Sequence, residues 1–211
     1  MDPRFKHPFT CLVAGPTGSG KTTFVRRLLQ QRNEMISPVP NRVLWCYGVW
    51  QAAYDRMTDL VDEWVEGLPD PTQLMKGQQY LVIVDDLMTE MTGGHMTTLF
   101  TKTSHHADAS IVYIVQNLFH KGKEQRTISL NSHYLVLFKN PRDASQISHL
   151  AKQMYPSKVE SKFLQEAFAD ATAQPFGYLL IDLKQSTPDW SRVRTAIFPD
   201  DRPTFVYMPR H

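Results

Sequence analysis

The sequence predicts an α/β fold built on a mainly parallel central sheet with helices on both faces. Three observations carry this: short, nearly unbroken apolar runs recur along the chain, helical patterns fall between them, and a glycine-rich turn separates the first run from the first helix. Strands apolar on both faces suit a parallel sheet covered on both sides, and strands alternating with helices define the α/β class. The 211 residues, 42% hydrophobic and 21% charged, have ordinary globular composition and suffice for one compact domain with elaborations. A disordered, collagen-like or coiled-coil chain is excluded on the same grounds.

Residues 9–14 form the first apolar run, and Phe24, Val25, Leu28 and Leu29 then share one helical face, with Arg26 and Arg27 on the polar side. A second run covers 43–49. After it, Trp50, Tyr54, Met57, Val61 and Trp64 repeat at helical spacing and predict a helix whose opposite face, Asp55, Asp59, Asp62, Glu63 and Glu66, is solvated. Runs at 80–84 and 110–115 flank a further helix suggested by Met96, Leu99 and Phe100. The run 134–138 precedes Asn140-Pro141, an expected N-cap and first-turn proline, opening a helix with Ile147, Leu150, Ala151 and Met154 inside. A helix over 159–173 leads to a strand at 178–183. From Lys184 onward Pro188, Pro199 and Pro203 break any helical period, predicting an irregular tail or late edge hairpin of the same domain. Residues 1–183 are thus expected to form the principal domain and 184–211 its C-terminal extension.

Cys11 and Cys46 each lie inside an apolar run, which predicts two core thiols in a reducing compartment. The opening segment MDPRFKHPFTCLVAGP has too short an apolar stretch for a signal peptide, and no run approaches the ~20 apolar residues of a membrane span. An intracellular protein, neither secreted nor anchored, is the expectation. Lys plus Arg exceed Asp plus Glu by 23 to 21, a balance too even to argue for nucleic acid by itself. His95, His105 and His106 have no partner at metal-ligand spacing, so no structural zinc is expected.

The strongest chemical signal is Gly15-Pro16-Thr17-Gly18-Ser19-Gly20-Lys21-Thr22, followed by Thr23, which satisfies G-x-x-x-x-G-K-[ST]. It begins where an apolar strand ends and an amphipathic helix begins, the setting in which backbone amides and a helix N-terminus surround a polyphosphate. Lys21 would meet the β and γ phosphates of ATP, and Thr22 would bind Mg2+. A second metal contact is supplied by YLVIVDD, a buried strand ending in two carboxylates: Asp85 on the magnesium side and Asp86 placed to polarise the attacking water. The run IVYIV ends in Gln116, an amide placed to sense the γ phosphate or orient water. His120, Lys121, Lys123 and Arg126 form a basic cluster in an expected loop, followed later by Arg142. A guanidinium of this kind stabilises charge on a transferring phosphoryl group, including from a neighbouring subunit, or contacts a nucleic-acid phosphate.

Together the segments FTCLVAGPTGSGKTTFV, YLVIVDDLM, IVYIVQN and QRTISLNSHYLVLFKNPRD resemble the FtsK/HerA-type ATPases, specifically the genome-packaging ATPases of poxviruses, other large DNA viruses and virus-like Maverick/Polinton elements. The segment CYGVWQAAYD is similar to the second strand and following helix of the virus-like members, and the resemblance spans roughly residues 8–183. It implies a P-loop NTPase with a RecA-like (ASCE) core, the glutamine strand inserted between the loop strand and the Asp85 strand, and assembly into a homo-oligomeric ring, a pentamer or hexamer. By position it implies that Lys21 and Thr22 bind phosphate and magnesium, Asp85 holds magnesium, Asp86 stands at the catalytic acid and Gln116 is the sensor. Many relatives carry glutamate where this chain has the shorter Asp86. Arg126 and Arg142 are both candidates for an arginine finger supplied in trans, with Arg142 preferred because it follows a strand and begins a helix. The activity implied is ATP-driven translocation of double-stranded DNA into a viral capsid, with capsid proteins as partners and Lys121 and Lys123 gripping DNA phosphates.

Three other readings compete. A GTPase switch is suggested by Asn140-Pro141-Arg142-Asp143, although Pro141 occupies the lysine position of the guanine-reading element. A small nucleotide kinase of similar size needs an arginine-bearing lid, and no convincing lid segment is evident. The third is a nucleotide-dependent assembly scaffold without turnover.

Overall fold

The computed structural model describes residues 2–70, 74, 77–87, 95–100, 108–119, 123–155, 157–201 and 203–209. In chain order the strands are β1 (Phe5–Lys6), β2 (Thr10–Ala14), β3 (Ile36–Ser37), β4 (Arg42–Tyr47), β5 (Glu63–Glu66), β6 (Tyr80–Asp85), β7 (Ala109–Val115), β8 (Tyr134–Phe138), β9 (Tyr178–Asp182), β10 (Val193–Thr195) and β11 (Phe205–Tyr207). The helices are α1 (Lys21–Gln30), α2 (Arg32–Met35), α3 (His95–Thr98), α4 (Lys123–Leu130), α5 (Ser145–Met154) and α6 (Lys158–Ala171). Nine strands form one sheet in the order β11-β10-β9-β8-β2-β7-β6-β4-β5, while β1 and β3 pair separately. From β8 to β5 every pairing is parallel; β9, β10 and β11 are added antiparallel at the other side. The molecule is therefore mixed α/β with a large, mostly parallel sheet.

The apolar runs become strands because both faces of each are covered. Alternate residues enter opposite cores: Leu12 and Ala14 with Ile111, Tyr113 and Leu137 on one face, Cys11 and Val13 with Val112, Ile114 and Val136 on the other. Phe24, Val25, Leu28 and Leu29 of α1 close the second core, and Leu150, Ala151 and Leu164 of α5 and α6 close the first. Both cysteines are buried and unpaired, and burial pushes the Cys46 thiol up to about 12.

Three sequence expectations need correction. The helix predicted from Trp50 to Trp64 is absent: one 3-10 turn, Tyr54–Arg56, is followed by β5, which pairs in parallel with β4 and sets Trp64 beside Trp45. The predicted inward residues do cluster, with Tyr54 and Trp64 rings 5.4 Å apart and Trp50 and Trp64 4.8 Å apart. The open edge of β4 decides the backbone. Its amides need partners, and Asp62 and β5 supply them, the Asp62 carboxylate accepting from Val43 N at 2.7 Å. Asn140-Pro141 does not open a helix. Asn140 Oδ1 accepts from Arg142 N in a local turn, and α5 starts only at Ser145, whose amide donates to Asp143. Lys123 and Arg126 lie on α4, not in a loop.

The C-terminal segment is built into the core. Arg194, 1% exposed, donates to Asp182 Oδ2 at 2.9 Å, and Phe198 packs on Phe24 of α1 with ring centroids 5.1 Å apart. The Arg27 guanidinium lies 4.2 Å over the Phe198 ring and reaches Asp200 and Asp201 at 2.8 and 2.7 Å.

Candidate functional site

The glycine-rich loop leaves the carboxyl end of β2 and enters α1. Its glycines are required by geometry: a Cβ on Gly15 would lie 2.7 Å from both Phe138 Cβ and Ser19 Oγ, and Gly20 has φ +109° in the left-handed region. Gly20 is also the N-cap of α1 and makes no side-chain cap, so the first-turn amides face out of the helix end, where an anion is stabilised. Ser19 Oγ is buried and, among the described residues, has no hydrogen-bond partner. An orphaned hydroxyl beside a helix N-terminus fits a phosphate group.

Lys21, half-buried, folds back over the loop and donates to Gly15 O at 2.6 Å and Pro16 O at 2.9 Å. Burial lowers its pKa, while Asp85 and Asp86 act in the opposite direction. The ammonium is therefore held by neutral carbonyls that a phosphate oxygen would outcompete. Thr22 follows in the first turn of α1, half-buried, and Thr23 is exposed.

Asp85 ends β6, and Asp86 follows with φ +52°, a left-handed conformation that aspartate tolerates better than most residues. Asp85 is 5% exposed. Burial raises its pKa above the usual carboxylate range; the Tyr54 hydrogen bond and Lys21 oppose that rise, and Asp86 adds to it. Tyr54 is the residue that sequence reasoning missed: its hydroxyl donates to Asp85 Oδ2 at 2.8 Å from the centre of the aromatic cluster. Helical spacing marked Tyr54 as buried but gave no sign that its hydroxyl faces a carboxylate.

Gln116 follows β7, which lies between β2 and β6, and its Nε2 donates to Asp86 Oδ2 at 3.2 Å. The strand order thus sets the loop, the glutamine and the two aspartates side by side at adjacent strand ends, where open α/β sheets bind ligands. A shallow cleft, open to solvent and lined by Gly15, Gln116, Phe138, Asn140 and Gln146, extends from the loop. Asn117 Oδ1 accepts from Gln146 at 3.3 Å and Asn140 at 3.4 Å along that cleft, an amide network that the sequence did not announce.

Arg126 on α4 and Arg142 in the turn after β8 are both exposed. Among the described residues, no hydrogen bond or ion pair joins either guanidinium to Lys21, Asp85 or Asp86. Lys121 lies outside the described residues, as does the Lys123 side chain. His105 and His106 fall there too. Among the described residues, no helix is long and apolar enough to cross a membrane.

The fold is shared, at low sequence identity, with solved structures. Of the solved structures it is similar to, one is the cytoplasmic domain of the Thermomonospora curvata Type VII Secretion ATPase EccC, with TM-score 0.50 and 12% identity, covering 85% of this chain and 24% of that one. Another is Thermomonospora curvata EccC (ATPases 2 and 3) in complex with a signal sequence peptide, with TM-score 0.46 and 15% identity, covering 64% and 31%. This chain therefore spans a quarter to a third of the length of those structures. No family model and no curated protein matches the sequence.

Proposed function

We propose that this chain is an ATP-hydrolysing subunit of a ring-shaped, DNA-translocating motor of the FtsK/HerA, genome-packaging kind, with a RecA-like core. The observation that carries the reading is the convergence of Lys21, Asp85, Asp86 and Gln116 at the ends of three adjacent strands, with the glutamine strand in the middle. The loop amides and the Lys21 ammonium hold the phosphates. Asp85 and Thr22 would hold Mg2+, which neutralises charge on the β and γ phosphates. Asp86 takes the proton of the water that attacks the γ phosphorus; the bridging P–O bond breaks, and its electron pair leaves on ADP. Gln116, bonded to Asp86, orients that carboxylate. Exposed Arg126 and Arg142 remain available to a neighbouring subunit's γ phosphate, Arg142 being preferred; Lys121 and Lys123 would grip double-stranded DNA, and capsid proteins are the partners that receive it.

The test is ATP hydrolysis by the purified protein across protein concentration, with and without double-stranded DNA. Activity rising more than proportionally and stimulated by DNA supports a motor with shared sites. Proportional activity blind to DNA moves the reading to a kinase or switch, and absence of turnover despite nucleotide binding moves it to a scaffold.

Tyr54→Phe is expected to raise the Mg2+ concentration for half-maximal hydrolysis about tenfold, because a buried carboxylate losing a charge-assisted hydrogen bond of ~1.5–3 kcal/mol ionises less readily. Nucleotide affinity without metal should not change, since the ring stays in its cluster. A magnesium titration of both proteins checks this.

A further inference from the structure

Phe176 is 69% exposed, and its backbone has φ +64°, a left-handed conformation that strains a bulky residue. The turn that presents it is fixed on both sides. Thr172, the C-cap of α6, bonds back to Phe168 through its amide and its hydroxyl. Gly177 donates to Gln174 O and has no room for a side chain, since a Cβ there would lie 2.5 Å from Ala171 O. A strained, exposed aromatic held by surrounding structure points to use by a ligand.

Its position says which ligand. A Cβ built on Gly20 would lie 3.2 Å from Phe176 Cδ1 and 3.3 Å from its Cβ, so the ring stands directly beside the residue that precedes Lys21. In the sheet, Phe176 comes just before β9, on the side of β2 opposite to β7 and β6. Asp85, at the end of β6, with Asp86 and Gln116 just beyond β6 and β7, marks the γ-phosphate end of the loop. The sugar and base of a nucleotide bound there leave toward the other side, where this ring waits.

We propose that Phe176 is the platform on which the base of the bound nucleotide stacks. The inference rests on the nucleotide-binding reading above and deepens it. A phenyl face recognises the π surface of a base, not its edge pattern, so purine nucleotides gain most. Stacking of this kind is worth about tenfold in affinity.

Calorimetric binding of ATP and of inorganic tripolyphosphate, each with Mg2+, to the wild type, Phe176→Gly and Phe176→Tyr tests it. Phe176→Gly removes the ring and relieves the backbone, so its thermal midpoint should hold or rise while ATP affinity falls about tenfold and tripolyphosphate affinity stays. Phe176→Tyr should bind ATP as the wild type does. Unchanged ATP affinity in Phe176→Gly overturns the platform and leaves the nucleotide site standing. Parallel loss of ATP and tripolyphosphate, or a lowered midpoint, makes the ring a support for the loop and also overturns it. A wild type that binds neither compound removes the nucleotide reading itself.

Discussion

Lys21→Ala is expected to reduce ATP hydrolysis by a factor of about 10²–10³ and to weaken nucleotide binding, because removing one preorganised charge from a phosphate site costs that much. The structure explains why the effect should be confined to the ligand. Among the described residues, Lys21 bonds to the Gly15 and Pro16 carbonyls, and burial already works against its charge. Losing the ammonium gives up two hydrogen bonds and, in the same change, the desolvation that opposes them. A thermal midpoint close to that of the wild type, together with lost binding by calorimetry, is the expected pair of results. A collapsed midpoint would make Lys21 a structural brace of the loop instead.

Asp86→Asn is expected to separate binding from chemistry: hydrolysis falls by a factor of about 10²–10⁴, the usual contribution of a positioned general base, while ATP affinity stays within a few-fold. Asparagine adopts the left-handed backbone of this position as readily as aspartate, and its amide oxygen can still accept from Gln116, so the turn after β6 survives. What it loses is the capacity to take a proton. Single-turnover hydrolysis alongside equilibrium binding checks both halves. Retained hydrolysis would assign the proton to another group and reduce Asp86 to a turn residue. The Asp86 carboxylate is fixed both by this backbone and by the Gln116 amide, so its reach is set by the turn as much as by its length.

Most of the sheet was legible because burial on two faces writes itself as an unbroken apolar run, as in Ile111-Val112-Tyr113-Ile114-Val115. The loop was legible because its glycines answer to backbone demands that no other residue meets, as at Gly15 and Gly20. The segment from Trp50 to Trp64 misled for a specific reason. Intervals of three and four residues report which side chains cluster, and a turn followed by an edge strand gathers the same aromatic rings as a helix would. The unpaired flank of β4, invisible in a local window, chose between them. Asn140 shows the same limit at shorter range: its side chain serves a turn and a helix cap with similar geometry, and Asp143, three positions on, takes the place at the start of α5. Tyr54 on Asp85 and Phe176 beside Gly20 depend on turns whose course is set by residues distant in sequence, so neither had a signature to read.

The helix that carries Lys21 is packed by residues from the far end of the chain. Arg27 meets Asp200 and Asp201, 173 and 174 positions later, and Phe24 lies against Phe198. During synthesis, the glycine-rich loop emerges well before the wall behind its helix, whose acidic partners for Arg27 follow 173 and 174 positions later. Non-local closure of this kind slows folding, because the entropy of a long loop is spent before the contacts that reward it form. Until then α1 exposes an aromatic face, so a nascent chain has the motif long before it has the site. The setting of the loop thereby reports on the integrity of the chain as far as Asp201.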